Sequence, residues 1–500
     1  MNKGFAINNQ NMSGPAFSVD SVNRELELLE NEANSVTWQS PTGEIFTMIL
    51  PHTVYPPRED TSFMAKSLLS LGPGKGRKCL EIGLGSGVLS LMCHRQGWRV
   101  SACDINPMAI ASAKNFLSNN QAQDIIIREG GPGPSGDGDV NQWSGMEKYD
   151  LIFWNMPYIK INEHDTHLGP MEEAGLIDTS RESLVSLTLT HINTSKILNN
   201  SGVGLLTVGE HLNHDAILGK CAEHGFAARI VDELTFEDGE RLKLLAFWYP
   251  YAKHPTVYRQ TVTSTNTELL GNDWPTGSSL AAEIQTQGRG RYDRTWQNTQ
   301  NNLSCSWKIF LPEGLSYGLT QVLLGNIVKK SFESAKSNHQ DAKIILKWPN
   351  DLIVTAGQDW GKVCGVLVES VTRGRNTTTV AGIGINIACD VSETSFDFKI
   401  GYAEWYDKFL TREYLINQIH CRISGFFEEK LNLPNSTITH YFESAQDAIS
   451  EAFMIYQSVF YRNKKVDFLS LNEDGTLIVE DVEGQMVNVL DGEELNWVFS

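Results

Sequence analysis

The sequence predicts an α/β first half, an α+β second half and a small all-β module at the end of one chain. Three observations carry this prediction. Between Phe46 and about Tyr249, short apolar runs alternate with helical patterns, as in a sheet with helices packed on it. After a pause at YAKHPTV, residues 251–257, a second set of strands and helices follows. The last fifty residues hold only short strand patterns separated by turn residues. Five hundred residues also exceed one ordinary domain.

Residues 1–40 are polar and read as a tail followed by a short acidic helix, NRELELLENEA; the first α/β region spans 41–252. Within it KCLEIGL (78–84) is a buried strand, and VLSLMCHRQG is a helix ended by Gly97. WRVSACDI is the next strand and MAIASAKNFLSNN the next helix. GGPGPSGDGDVNQWSG (130–145) is too rich in Gly and Pro to be anything but loop. YDLIFWNMPY returns to strand, and 201–248 adds further strand and helix. Pro255 marks the seam. The second region, 256–445, has strands near 280–286, 303–310, 343–347, 363–370 and 378–388, the last two joined through TRGRN as a hairpin. In 450–500, SVFYRN, VDFLSLN, GTLIVED and QMVNVLD, with turns EDG and DGEE, predict a small β-barrel.

A net charge of −19 argues against a broad nucleic-acid surface, which needs many cations to neutralise phosphates. No DNA partner is expected. The eight cysteines are scattered without C-x-x-C spacing, which suggests reduced thiols. No run reaches transmembrane length and no apolar leader opens the sequence, so no membrane partner and a cytoplasmic protein are expected.

EIGLGSG, Glu81 to Gly87, lies between a strand and a helix. Glycines there let a ligand approach the backbone and leave helix N–H groups facing it. Gly83, Gly85 and Gly87 put the third glycine one residue early for a dinucleotide fingerprint. A tight turn needs the same glycines, so the pattern alone does not decide. Asp104 ends the next strand and is placed to accept from a ribose diol. The stretch resembles the first motif of class I S-adenosylmethionine-dependent methyltransferases, which implies a Rossmann-like fold and S-adenosylmethionine held by Glu81, Gly83, Gly85, Gly87 and Asp104. Asn155-Met156-Pro157-Tyr158 follows a strand where amino-methyltransferases carry (N/D)PP(Y/F), and VYPPREDT (54–61) is similar to a segment of HemK-like glutamine methyltransferases. The resemblance implies that Asn155 Oδ1 and the Met156 carbonyl accept the two hydrogens of a planar nitrogen, with Tyr158 stacked on it. It implies a protein methyl acceptor such as a release factor. Met156 departs from the family's proline. The alternative is a non-catalytic S-adenosylmethionine-binding or scaffold module that recruits the acceptor. HDTH (164–167) reads as a loop over the substrate rather than a metal site.

GRGRYDRTW (288–296) concentrates three arginines and two glycines in an acidic chain; in isolation such a run is a solvated loop or an RNA-binding tract, and between two strand patterns it reads as an anion-binding loop. It is accompanied by TSTN (263–266), AEIQTQ (282–287), KWPNDL (347–352), GKVCGVLVE (361–369) and AGIGIN (381–386). Together these segments describe a pocket lined by sheet under a loop. In this order they resemble biotin protein ligases, and the terminal module is similar to their SH3-like C-terminal domain. The family implies that biotin and ATP with Mg²⁺ form biotinyl-5′-AMP, and that a lysine of a biotin carboxyl carrier domain then takes the biotin. Carried over residue by residue, biotin is met by Ser264, Thr265, Asn266, Gln285, Arg289, Gly290, Arg291 and Lys362, with Gly365, Gly382 and Gly384 leaving room for its ureido ring. Arg294, Trp296, Lys347, Asn350, Asp351 and Asn386 meet the nucleotide, Asp351 facing Mg²⁺. Lys362, Arg289 and Arg291 carry the catalysis. Some relatives add a winged helix and repress transcription; here that place holds the methyltransferase-like region, and no operator binding is expected.

Overall fold

The computed structural model describes residues 33–132, 139–157, 183–271, 274–296, 301–335, 341–389, 399–430, 433–434 and 438–498. The predicted acidic helix and the HDTH segment lie outside them, as does Tyr158. The chain divides into two compact units, one of residues 1–198, 205–211 and 234–242, the other of 199–204, 212–233 and 243–500.

The first unit opens on an antiparallel pair, β1 (Asn34–Gln39) with β2 (Ile45–Leu50). The polar tail therefore ends before residue 34. Trp38, Phe46, Met48 and Leu50 alternate inward and are buried, the period-two pattern of a half-buried ribbon. Next in the chain come β3 (Lys78–Ile82), β4 (Arg99–Asp104), β5 (Ile126–Glu129), β6 (Tyr149–Trp154), β7 (Leu198–Gly209), β8 (Ala227–Thr235) and β9 (Arg241–Trp248), in one sheet of order β5-β4-β3-β6-β7-β9-β8; residues 199–204, 227–233 and 243–248 of its last strands are counted with the second unit. β3, β4, β5 and β6 are mutually parallel where they pair, and helices Glu59–Ser70, Val88–Arg95 and Pro107–Asn119 connect or precede them. From β3 the order runs outward through β4 and β5 on one side and restarts with β6 on the other, a switch in strand order of the kind that opens a crevice at the carboxyl ends of the strands. The predicted Gly/Pro loop contains a short helix, Val140–Ser144, because Asp139 caps its first turn and Gly145 ends it in the left-handed region.

The second unit is built on β10 (Val257–Val262), β11 (Ser279–Gln285), β12 (Asn302–Ile309), β13 (Lys343–Lys347), β14 (Asp351–Ala356), β15 (Asp359–Arg373) and β16 (Asn376–Asn386), in the order β10-β11-β12-β16-β15-β14-β13. Only β10 and β11 pair in parallel; the other adjacent pairs are antiparallel. β15 and β16 form the predicted hairpin, with Gly374 at φ 63° in its turn. Helices Tyr317–Glu333, Arg412–Phe427 and Ile438–Ile455 share a core with the sheet through Trp307, Leu323, Phe332, Ile383, Ile419 and Ile449. One face of the sheet is thus covered, leaving polar side chains such as Ser306 and Asn266 to gather elsewhere along it.

The terminal strands β17 (Ser458–Tyr461), β18 (Lys464–Leu471), β19 (Leu477–Asp481), β20 (Met486–Val489) and β21 (Leu495–Val498) form an antiparallel sheet ordered β20-β19-β18-β17-β21. The predicted barrel is corrected here: no pairing closes β20 onto β21 among the described residues. The link between these two short strands satisfies its own backbone. Glu494 Oε1 accepts from the N–H groups of Leu490 and Asp491 at 3.1 Å, and Asp491 Oδ1 accepts from Glu493 N–H at 3.0 Å. None of the eight cysteines is in a disulfide. No described helix is long and apolar enough to cross a membrane.

Candidate functional sites

In the first unit the glycine turn, Asp104 and Asn155 stand at the carboxyl ends of three neighbouring parallel strands, β3, β4 and β6. Gly83, Gly85 and Gly87 have φ of 67°, 51° and 82°, a region in which a side chain is strained. Their surroundings differ. A Cβ on Gly83 would lie 2.6 Å from Trp154 Nε1, and one on Gly87 3.2 Å from Ala113 Cβ, whereas Gly85 opens onto free space. Gly83 and Gly87 therefore serve packing as well as the turn, and Gly85 is the one a ligand can approach.

Asp104 reaches across this turn. Its Oδ2 accepts from Gly85 N–H and its Oδ1 from Asn106 N–H, each at 2.8 Å. Burial pushes its pKa up, opposed by these backbone donors. Glu81 is turned inward, accepting from the Ser90 hydroxyl, and burial raises its pKa to about 8, with Asp104 adding to the rise and Ser90 opposing it. It braces the turn against the following helix rather than facing the crevice.

Asn155 is gripped at both ends of its amide. Nδ2 donates to Asp60 Oδ2 at 3.0 Å, and the Thr207 hydroxyl donates to Oδ1 at 3.1 Å. Met156 N–H donates to the same Thr207 Oγ1 at 2.7 Å. Pro157 is buried beside them. Asp60 belongs to the VYPPREDT segment, where nothing in the local pattern marks it as a partner of Asn155. Thr207 gave no signal, being one polar residue within the strand pattern LLTVG.

In the second unit GRGRYDRTW is a miniature antiparallel hairpin. Arg289 bridges Thr295, Gly290 N–H donates to Arg294 O at 2.7 Å, and Trp296 N–H donates to Gly288 O at 3.0 Å. A Cβ on Gly288 would overlap Trp296 O, and one on Gly290 would lie 3.2 Å from Arg294 O. The glycines are needed for the hairpin's own closeness. Tyr292 sits at its tip with φ 55°.

Each arginine of the hairpin meets a carboxylate. Arg289 pairs with Glu369 at 3.1 Å, Arg291 with Asp491 at 3.2 Å and Arg294 with Glu493 at 3.0 Å. From Glu369 a polar chain runs inward. Asn266 Nδ2 donates to Glu369 Oε2 at 2.8 Å, and Ser306 Oγ lies 2.6 Å from Asn266 Oδ1 and 2.7 Å from Thr265 Oγ1. Thr265 N–H and Oγ1 both donate to Gln285 Oε1, at 2.8 and 3.0 Å. Ser264 caps the helix Thr265–Leu269, accepting from Thr267 N–H. Ser306 and the pairing role of Glu369 were not foreseen; Ser306 alternates with Cys305 and Trp307 and looks like any strand residue.

Behind the hairpin, Lys362 Nζ lies 2.7 Å from an Asp351 carboxylate oxygen and 5.8 Å from the Trp296 ring centroid. Asn386 Nδ2 donates to Lys362 O, and Asn350 Nδ2 to Val366 O, each at 3.0 Å. Lys347 is largely buried, and desolvation lowers its pKa against the pull of Asp351. The three glycines assigned to a ligand ring are used differently. A Cβ on Gly384 would overlap the Trp296 indole, one on Gly365 would lie 3.0 Å from Trp296 Cζ3, and one on Gly382 would overlap Asn266 Oδ1. They make room for side chains that line the site. Trp296 Nε1 is buried without a hydrogen-bond partner, a donor that fits a polar ligand atom.

Comparison with known proteins adds family to geometry. Residues 256–386 match the Biotin/lipoate A/B protein ligase family, and residues 59–186 match the Methyltransferase small domain. Biotin–protein ligase 2 of Arabidopsis thaliana is 26% identical over 40% of this chain and 61% of its own length. The release factor glutamine methyltransferase of Shewanella oneidensis is 28% identical over 31% of this chain and 52% of its own. The chain thus spans less than two thirds of the length of either relative. Biotin protein ligase from Aquifex aeolicus, solved with biotin and ATP, aligns at a TM-score of 0.37 and 23% identity, over 49% of this chain and 99% of that one. The chain carries a methyltransferase small domain in its N-terminal part and a biotin/lipoate A/B protein ligase domain in its C-terminal part.

Proposed function

We propose that the C-terminal part is a biotin protein ligase and that the N-terminal part methylates a protein amide nitrogen. The observation that carries the first reading is the unbroken polar chain from Gln285 through Thr265, Ser306, Asn266 and Glu369 to Arg289, which ends in the same hairpin as Trp296, the ring that Lys362 Nζ approaches at 5.8 Å. In this reading Ser264, Thr265, Asn266 and Gln285 bind the ureido ring. Arg289 and Arg291 draw together the biotin carboxylate and the ATP phosphates. A carboxylate oxygen attacks the α-phosphorus, the bond to the β-phosphate oxygen breaks and pyrophosphate leaves. Lys362 neutralises charge that grows on the α-phosphate. Arg294, Trp296, Lys347, Asn350 and Asn386 hold the nucleotide, and Asp351 exchanges its contact with Lys362 for the Mg²⁺ that arrives with ATP. The mixed anhydride is then attacked by a lysine amine of a biotin carboxyl carrier domain; the amide forms, AMP leaves, and the amine's proton passes to solvent.

In the N-terminal part, the open face of Gly85 and the Asp104 carboxylate, an acceptor for a ribose diol, fit S-adenosylmethionine, which when bound supplies an electrophilic methyl group. Asn155 Oδ1 and the Met156 carbonyl accept from the two hydrogens of a substrate amide, so that its nitrogen is held for attack. A glutamine of a protein acceptor such as a release factor suits this geometry.

Biotin-dependent ATP–pyrophosphate exchange, and methyl transfer from labelled S-adenosylmethionine with Asn155→Ala as control, test the two halves separately. Exchange without biotin dependence sinks the ligase reading. A folded chain that binds S-adenosylmethionine yet transfers no methyl group leaves the N-terminal part as a binding module.

A further inference from the structure

The Asn155 loop departs from its family at Met156, and the structure holds a candidate reason why that departure is tolerated. Proline carries no N–H; methionine does, and Met156 is only 3% exposed. A buried N–H without an acceptor is destabilising and leaves the loop free to seek another conformation. Thr207, fully buried, accepts it at 2.7 Å. The same Oγ1 lies 3.1 Å from Asn155 Oδ1 and 3.4 Å from Met156 O. A hydroxyl has one proton and two lone pairs. Here a lone pair takes the Met156 N–H, and the proton is directed towards the two oxygens that the methyltransferase reading assigns to the substrate nitrogen. Asp60 Oδ2, on the other side, takes Asn155 Nδ2 and so decides which end of the amide faces Thr207.

We propose that Thr207 is a positioning residue that sets the spacing of the two acceptor oxygens and replaces the stiffness proline gives this loop. It touches no substrate and acts through Asn155 and Met156. The inference rests on the methyltransferase reading for its catalytic consequence, but the clamp itself does not.

The test uses the full chain with Thr207→Val, which keeps the shape and removes the hydroxyl, Thr207→Ser, which keeps the hydroxyl, and Met156→Pro alone and with Thr207→Val. Thr207→Val is expected to lower kcat for methyl transfer about 10- to 100-fold, as misplacement of reacting groups does, with the KM for S-adenosylmethionine within about twofold. Thr207→Ser is expected to stay within about threefold of the parent. In the Met156→Pro background, where no N–H is left stranded, Thr207→Val is expected to cost less than about fivefold. Equal losses in Val and Ser, or the same Val effect in both backgrounds, overturn the proposal. If the parent transfers no methyl group, the methyltransferase reading has failed, and hydrogen exchange at the Met156 amide reads the clamp alone. Thr207→Val is expected to speed that exchange at least about tenfold and Thr207→Ser to leave it slow. An unchanged rate in Thr207→Val overturns the clamp.

Discussion

The arginine hairpin of the second unit holds its charges by ion pairs near the surface, whereas the Asn155 loop of the first holds its acceptors by hydrogen bonds to buried groups. Arg289 and Arg294 are 48% and 63% exposed in their pairs; Thr207 is fully buried. An exposed ion pair contributes roughly 0–1 kcal/mol, because each charge is nearly as well served by water. The hairpin can therefore exchange its carboxylates for a more highly charged anion with little loss. A buried donor or acceptor left unmade costs about 1–3 kcal/mol, so the Asn155 loop has one arrangement and keeps it. A site that closes over a triphosphate benefits from the first property, and a site that must aim a weakly nucleophilic amide benefits from the second.

The largest effect should come from a charge the hairpin cannot replace. Lys362→Ala removes a cation beside both Asp351 and Trp296 that lies on the sheet rather than on the hairpin. Biotin-dependent ATP–pyrophosphate exchange is expected to fall by about 10²- to 10³-fold, as for loss of one preorganised donor to developing charge. Exchange at the parent rate in this variant, with the melting temperature unchanged, would remove Lys362 from the mechanism and leave the arginines to carry it.

Much of this contrast is legible in the sequence, and the rest fails for a physical reason. GRGRYDRTW shows its charge and its glycines locally, and the KCLEIGL strand with its glycine turn is where the pattern puts it. What the local pattern cannot carry is the partner. Asp491, which holds Arg291, is 200 residues away in the chain, and Thr207 meets Asn155 from another strand 52 residues on. Gly365, Gly382 and Gly384 were legible as positions where a side chain would not fit, but not as room for Trp296 and Asn266. Small residues on a strand announce a close approach without saying what approaches. The barrel expected at the end failed similarly: strand patterns give the strands, while closure depends on whether the edges find each other.

Gly384→Ala tests the shape of the hairpin's floor. The added methyl would overlap the Trp296 indole, and overpacking of this kind typically costs about 1–3 kcal/mol unless the ring moves. The ring belongs to the hairpin, so it is expected to move: nucleotide affinity falls about tenfold while the melting temperature shifts by only a few degrees. A large drop in melting temperature with unchanged affinity would mean that Trp296 is ordinary core.

The first unit should show its rigidity in its pH response. Glu81 has a pKa of about 8 when folded against an ordinary 4.5. Between those pH values the folded chain keeps a proton that the unfolded chain has lost, so this carboxyl's contribution to stability falls as pH rises from about 4.5 to about 8. Glu81→Gln stays neutral throughout. Its melting temperature relative to the parent is expected to climb by several degrees between pH 5 and pH 8, and a difference that stays flat would place Glu81 in contact with water.

The smallest effect is the one that most sharply defines the comparison. Asp491→Asn with Glu493→Gln removes two of the three carboxylates that hold the hairpin while leaving every arginine in place. Because the Arg294–Glu493 pair is more than half exposed and the Arg291–Asp491 pair still keeps about a quarter of each side chain in water, stability should change by less than about 1 kcal/mol. With those carboxylates gone, however, Arg291 and Arg294 have fewer competitors for phosphate, while Arg289 keeps Glu369. Affinity for ATP is expected to rise about two- to fivefold at low salt, and the gain should fade as ionic strength approaches ~0.5 M, where screening shortens the reach of all such pairs. Weaker binding would reverse the assignment, making Asp491 and Glu493 struts that hold the hairpin in its binding shape. A loss of several kcal/mol in stability would remove the contrast itself, since the hairpin would then be as firmly built as the Asn155 loop.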